Sequence, residues 1–277
     1  MNIRRNIARP AALAAAMSIA AAALFPSTVR ADESSSNWQW DGTIYMWMPE
    51  ITGSANLPGG NTTNLDFKFH TLLDHLEAAA MGSLAVQKGE WGGFTDLIFM
   101  NLGAAKTSVR GGTIDGVAVP VGVTLNTNVG LKAWIWTLAA SYRLKADPDS
   151  TLDLFGGTRL LELKPKLEYS FSADVGPFTG PGRSGKRSVT GDNWDAIVGL
   201  KGRAGFGEEH KWFVPYYLDV GTGDSQLTWQ ASVGIGYQFG WGDFFAKWRY
   251  LDYNIKSGNK LNDLTINGPL LGATWHW

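Results

Sequence analysis

Four histidines are the chain's first candidates for general-base or metal chemistry. His70 and His75 stand close together, with Asp66, Asp74 and Glu77 around them. Carboxylates beside imidazoles can hold a metal ion or orient a general base. However, five residues separate the two rings, whereas side chains share a helix face at spacings of three or four. The group reads as ordinary loop polarity. His210 falls in a short turn and His276 in the final segment. The chain has no cysteine, which removes thiolate ligands and disulfides. The glycine-rich stretch 176–185 does not follow a buried strand and open a helix, so it is not a phosphate cradle. No catalytic residue, metal site or cofactor is expected.

A second set of residues is more orderly. Asp41, Glu77, Asp96, Asp153, Asp195 and Asp219, with Arg143, Arg159, Lys201, Arg203, Lys247 and Arg249, each fall on one side of an alternating segment. A strand turns successive side chains to opposite faces. The clearest case is 227–239. Leu227, Trp229, Ala231, Val233, Ile235, Tyr237 and Phe239 share one face, and Thr228, Gln230, Ser232, Gly234, Gly236 and Gln238 share the other. Such a run is longer than the usual strand of about 5–6 residues. Trp194, Ala196, Val198, Leu200 and Phe206 alternate with Asp195, Lys201 and Arg203 in the same way. Only 91–103 is ambiguous, both phases being apolar except at Asp96.

The alternation predicts ten strands, near 38–48, 77–87, 91–103, 125–145, 151–163, 190–206, 211–222, 225–239, 242–255 and 263–277. Residues 51–56 and 62–69 either add a hairpin, for twelve strands, or extend their neighbours, with a short helical turn at 71–77. Eight strands is the other alternative. Short joins at 88–90, 146–150, 207–211 and 240–242 alternate mostly with long ones at 49–76, 104–124 and 164–191.

Composition narrows the setting. Arg4, Arg5 and Arg9 precede an apolar run at 11–25, and Val29-Arg30-Ala31 offers a cleavage site, the build of a secretory signal peptide. Cleavage after Ala31 would leave residues 32–277 as one domain. The leader holds four of the 24 basic residues and none of the 25 acidic ones, so the remainder carries a net charge of −5. A nucleic-acid partner would need a concentrated basic surface. Beyond the leader no apolar run approaches the roughly 18 residues of a helical span. The chain has 13 Trp, 13 Phe and 34 Gly, a balance suited to an all-β fold.

Long alternation, aromatic strand ends and two unequal rims together describe an all-β transmembrane antiparallel up-and-down barrel of about ten strands. Lipid requires every backbone amide to be paired, which a closed barrel achieves. Trp40, Trp91, Trp212, Trp241, Trp275 and Trp277 would form a girdle near the short-turn rim, and Trp194, Trp229 and Trp248 would fit the other half. The twelve charges would point into the lumen. An eight-stranded barrel has room inside for little more than side chains, and ten strands add little. The charges should therefore pair as an ionic plug, or else line a narrow, weakly selective pore.

The last segment carries a resemblance. Leu271, Ala273, Trp275 and Trp277 alternate with Leu270, Gly272, Thr274 and His276 and end on an aromatic. This resembles the closing strand of Gram-negative outer-membrane barrels, whose terminal aromatic, usually Phe, is read by the barrel-assembly machinery. Residues 249–253 followed by Gly268-Pro269 look like the last hairpin of small OmpA-like barrels. Trp91, Gly92, Asp96, Leu97 and Ile98 resemble a pattern of uncharacterised outer-membrane protein families. The resemblance implies a Gram-negative outer-membrane location, with outer-membrane lipids and lipopolysaccharide as partners. Lys164, Lys166, Arg183, Lys186 and Arg187 make one long loop basic enough to meet lipopolysaccharide phosphates, although exposed charges are ordinarily just solvated. Ten strands also match outer-membrane proteases of the omptin type, but no Asp-His-Asp group like theirs stands on the late strands. The expected function is a non-enzymatic barrel, either structural or a narrow small-solute pore. The alternatives are a substrate-specific channel or a lipid- or peptide-hydrolysing enzyme on the outer rim.

Overall fold

The computed structural model describes residues 37–56, 62–114, 117–147, 150–175, 178–179, 183–188, 191–207, 211–256 and 261–277. The leader and His210 lie outside these residues.

Alternating sequence becomes paired strand throughout. Among the described residues fourteen strands form: β1 (Gln39–Trp47), β2 (Glu50–Asn56), β3 (Thr62–Phe67), β4 (Leu76–Lys88), β5 (Trp91–Ile114), β6 (Val117–Ala146), β7 (Ser150–Val175), β8 (Phe178–Thr179), β9 (Arg183–Ser188), β10 (Gly191–Phe206), β11 (Trp212–Gly223), β12 (Ser225–Phe239), β13 (Gly242–Ile255) and β14 (Leu261–His276). Ten of them, β1, β4 to β7 and β10 to β14, pair antiparallel in chain order, and β1 closes the ring on β14. The seam runs from Asp41 opposite His276 to Trp47 opposite Leu270. One step further, Trp40 and Trp277 exchange backbone hydrogen bonds of 2.8 and 3.0 Å. Closure leaves no edge in the ring to pair with other chains.

The expected extra hairpin exists but adds no strand to the ring. β2 follows β14 in the register that β1 began, from Glu50 opposite Asn267 onward. The Met48 amide bridges the gap by donating to the Pro269 carbonyl at 2.9 Å. β3 folds back on β2, and a short helix, α1 (Phe69–Asp74), leads into β4. This helix begins two residues before the expected turn and ends three residues before it.

Two expected loops are instead strand. β5, β6 and β7 have 24, 30 and 26 residues, far beyond the roughly 9–11 needed to cross a bilayer. Past a bulge at Leu102/Ala105, the β5–β6 ladder continues to Ile114 opposite Val117. β9 pairs back on β7. Val117, Val119, Val121 and Val123 place a branched residue at every second position of β6, which favours a strand.

The short turns collect on one rim, where Gly89 and Gly207 adopt φ values of 60° and 88°, conformations that side chains resist. The wall between the rims is turned inside out relative to a soluble protein. Ile44, Met46, Leu138, Val198, Val233, Ile235 and Phe244 are exposed on the outside, while Thr137, Asp153, Arg159, Asp195, Asp219, Gln230 and Arg249 are buried inside. A closed ring of paired amides with an apolar outer face is a transmembrane β-barrel.

Candidate functional site

The lumen has two levels. In the long-loop half it is packed. Trp47, Ile98, Met100, Ile135, Leu161, Leu251, Tyr253, Ile255, Leu264, Ile266 and Leu270 form one buried cluster, into which α1 inserts Leu72. Toward the short-turn rim the lumen opens into a vestibule of about 710 Å³. Its mouth is lined by Gln39, Trp40, His276 and Trp277, and its deep end by Tyr45, Asp96, Thr137, Tyr217, Gln230 and Arg249.

Three polar groups lie at or beyond that deep end. Arg249 donates to Asp96 at 2.9 Å, to Gln230 at 2.8 and 3.1 Å and to the Tyr45 hydroxyl at 3.2 Å. The Tyr45 hydroxyl in turn donates to Asp96 at 2.6 Å, and the Trp47 ring covers the Arg249 guanidinium at 5.0 Å. Next, Arg159 forms a two-point pair with Asp219, one contact measuring 3.1 Å, and donates to Thr137 at 3.3 Å. Last, Asp195 has no cation within 4 Å among the described residues; it accepts from Asn193 at 2.7 Å and from the Ser225 amide and hydroxyl, both at 2.8 Å. Neutral donors of this kind let a carboxylate stay buried.

The vestibule wall carries the other charges. Asp153 binds Arg143 at 2.8 Å and Lys201 at 3.4 Å. Asp243 binds Arg203 at 3.2 Å and His276 at 3.1 Å, and His276 reaches Asp41 at 2.7 Å. Three of the cations lie over aromatic faces: Lys201 over Phe94, Arg203 over Phe213 and Lys247 over Phe245, at 5.0, 5.5 and 4.2 Å. Two of these rings occupy the space of a missing side chain. A Cβ at Gly236 would stand 2.3 Å from Phe213, and one at Gly272 would stand 2.6 Å from Phe245. Each glycine thus seats a ring against the wall, and each ring supports a cation.

Eleven of the twelve expected lumen charges therefore lie inside the barrel: Asp41, Asp96, Arg143, Asp153, Arg159, Asp195, Lys201, Arg203, Asp219, Lys247 and Arg249. Glu77 does not. The β4–β5 register shifts between Leu76 and Ala78, so Glu77 is the unpaired residue. It is exposed and accepts from Asn101 at 2.7 Å. Asp243 and Trp47 are lumen residues outside the sequence reading, as are Asn193 and Ser225. Asp243 shares the phase of Lys247 and Arg249, and Trp47 shares the phase of Asp41, Thr43 and Tyr45. Both could have been placed by extending the alternation to the strand ends.

Eight girdle tryptophans, Trp40, Trp91, Trp194, Trp212, Trp241, Trp248, Trp275 and Trp277, are exposed on the wall. Trp229 is half-buried and stacks on Tyr250 at 4.8 Å. Near the short turns, Trp212, Tyr237, Phe239, Trp241 and Trp275 form an unbroken chain of ring contacts at 4.8–5.9 Å. His70 is exposed on α1, and the His75 ring bonds to the Thr71 carbonyl at 2.9 Å. Among the described residues no three His, Asp or Glu side chains gather as metal ligands. In the basic stretch, Lys164 pairs with Glu162 at 2.5 Å, while the side chains of Lys166, Arg183, Lys186 and Arg187 lie outside the described atoms.

No protein-family model and no curated protein matches the sequence. The solved structures to which the chain is similar are outer-membrane barrels of low identity. The outer-membrane protease OmpT of Escherichia coli is 10% identical, with a TM-score of 0.49 over 90% of this chain and 99% of its own. The translocator domain of the autotransporter NalP of Neisseria meningitidis is 14% identical, with a TM-score of 0.39 over 96% and 97%. Ail, the attachment invasion locus protein of Yersinia pestis, is 12% identical, with a TM-score of 0.29 over 87% and 99%.

Proposed function

We propose that this protein is an integral protein of a Gram-negative outer membrane, a non-enzymatic barrel whose lumen is shut in its long-loop half. On this reading residues 1–31 direct export and the barrel-assembly machinery recognises β14. The short turns face the periplasm, the usual habit of such barrels. Outer-membrane lipids and lipopolysaccharide surround the girdle, and the tall β5–β7 wall stands outside the cell. The role is structural support of the envelope.

One observation carries the reading against an open pore. Arg159 and Asp219 have 0% side-chain exposure and lie under the apolar cluster that α1 caps with Leu72. Water crossing this layer would have to separate a buried ion pair and wet packed hydrocarbon, both costly steps. A hydrolytic role through His70 and His75 gains no support from the geometry, because one ring is turned to its own helix and the other to solvent. One feature favours a second reading, a narrow solute pore: the vestibule already supplies half of a water path.

Single-channel conductance of the folded protein in a planar bilayer tests the choice. A silent, folded barrel is the expected result. Stable openings above the empty-membrane background would overturn the closed reading in favour of the pore.

A further inference from the structure

We infer that the vestibule is a binding site for a small organic monoanion with an apolar body, its carboxylate held by the Lys247 ammonium. The starting observation is an imbalance. Five Lys and Arg side chains line the vestibule, Arg143, Lys201, Arg203, Lys247 and Arg249, against four acidic ones, Asp41, Asp96, Asp153 and Asp243, with His276 at the mouth between Asp41 and Asp243. Four of the cations have a carboxylate within 4 Å. Among the described residues Lys247 has none, and of the charges acting on it, Arg249, Asp96 and Lys201, two are positive. A half-buried ammonium that faces the cavity with no carboxylate within 4 Å is open to an entering anion, and a charge-assisted bond to it is stronger than a neutral one.

The surroundings set the rest of the ligand. The Lys247 ammonium lies over the Phe245 ring, which takes the space left by Gly272, and Lys247 lines the cavity. Leu270 stands directly opposite Lys247 in the β13–β14 register and also lines the vestibule. Phe94, Phe213 and Pro215 add further apolar surface. A space of about 710 Å³ is in the range of small-molecule sites, which combine apolar walls with a few placed polar groups. Inorganic anions would satisfy Lys247 but leave these walls wet. An aromatic or alkyl monocarboxylate matches both features.

The test uses the protein in nanodiscs of zwitterionic lipid, titrated calorimetrically with 1-naphthoate. Saturable one-to-one binding is expected, with the neutral isostere 1-naphthalenemethanol weaker by about tenfold or more, as loss of a charge-assisted bond requires. Lys247→Met should weaken 1-naphthoate by a similar factor, while Lys247→Arg keeps most of the affinity. Glu77→Gln, outside the lumen, should change nothing. Equal binding of the neutral isostere, or unchanged affinity in folded Lys247→Met, would overturn the proposal. So would inorganic phosphate binding as tightly as 1-naphthoate, because the apolar walls would then contribute nothing. If Lys247→Met does not fold, the three-ligand comparison on the unaltered protein decides by itself. Conductance plays no part in this outcome, so it stands or falls apart from the closed-barrel reading.

Discussion

Arg159 on β7 and Asp219 on β11 meet across an intervening strand. β10 lies between them, with Asp195 opposite Arg159 and Gly199 opposite Asp219. Gly199 has no side chain to block the diagonal, and neither partner shows side-chain surface to solvent. The pair thus pins three strands together at the level where the lumen changes from open to packed. Removing one partner strands a buried charge. Arg159→Met or Asp219→Leu alone should cost about 3–5 kcal/mol, while the double substitution should recover most of it. Urea unfolding of the refolded barrel, followed by tryptophan fluorescence, measures all three. Additive losses in the double variant would show that the pair is not the coupled unit described.

The Arg249 site separates charge from shape. Its guanidinium uses Nε and both terminal nitrogens on Gln230, Tyr45 and Asp96, and it lies under Trp47. A lysine keeps the charge but cannot fork or lie flat. Arg249→Lys is therefore expected to destabilise the barrel by about 2–3 kcal/mol, the worth of one or two charge-assisted bonds lost within a buried site. The same unfolding experiment reads it. A change of a few tenths would mean that charge alone holds the deep end.

The ring seats make a third prediction. Adding a methyl at Gly236 or Gly272 drives a Cβ into Phe213 or Phe245. Gly272→Ala should push Phe245 into the vestibule, cost about 1–3 kcal/mol of stability and displace Lys247. Gly236→Ala combined with Phe213→Leu should regain stability, since Phe213 alone crowds that methyl, whereas at Gly272 the Tyr45 Cβ would also stand 2.8 Å away. Unfolding midpoints compared at equal slope test this. No recovery in the double variant would place the strain elsewhere.

Much of this architecture could be read in the sequence, because a barrel repeats one simple rule. The strict alternation of 227–239 places Gln230 inside and Val233 outside without further information, and the same parity gathers eleven lumen charges. The rule fails where a strand adds a residue. Glu77 keeps the correct parity in the sequence, but the bulge beside it turns it outward. Pairing was less accessible than placement. Tyr45 and Arg249 are 204 residues apart, and only the ring closure brings them within 3.2 Å. The tall β5–β7 wall also has a sequence signal, the branched alternation at 117–123, which lies within the long join expected at 104–124.

The seam between β1 and β14 makes burial of the sheet's edges conditional on both ends of the barrel being present. Asp41 and His276, partners in that seam, are 235 residues apart in the chain. A polypeptide whose synthesis stops before β14 can form every hairpin from β4 to β13 and still keep two raw edges. Such edges recruit other chains. Closure therefore acts as a check on completeness: a finished molecule withdraws its edges from view, and an unfinished one leaves them open to pairing with other chains.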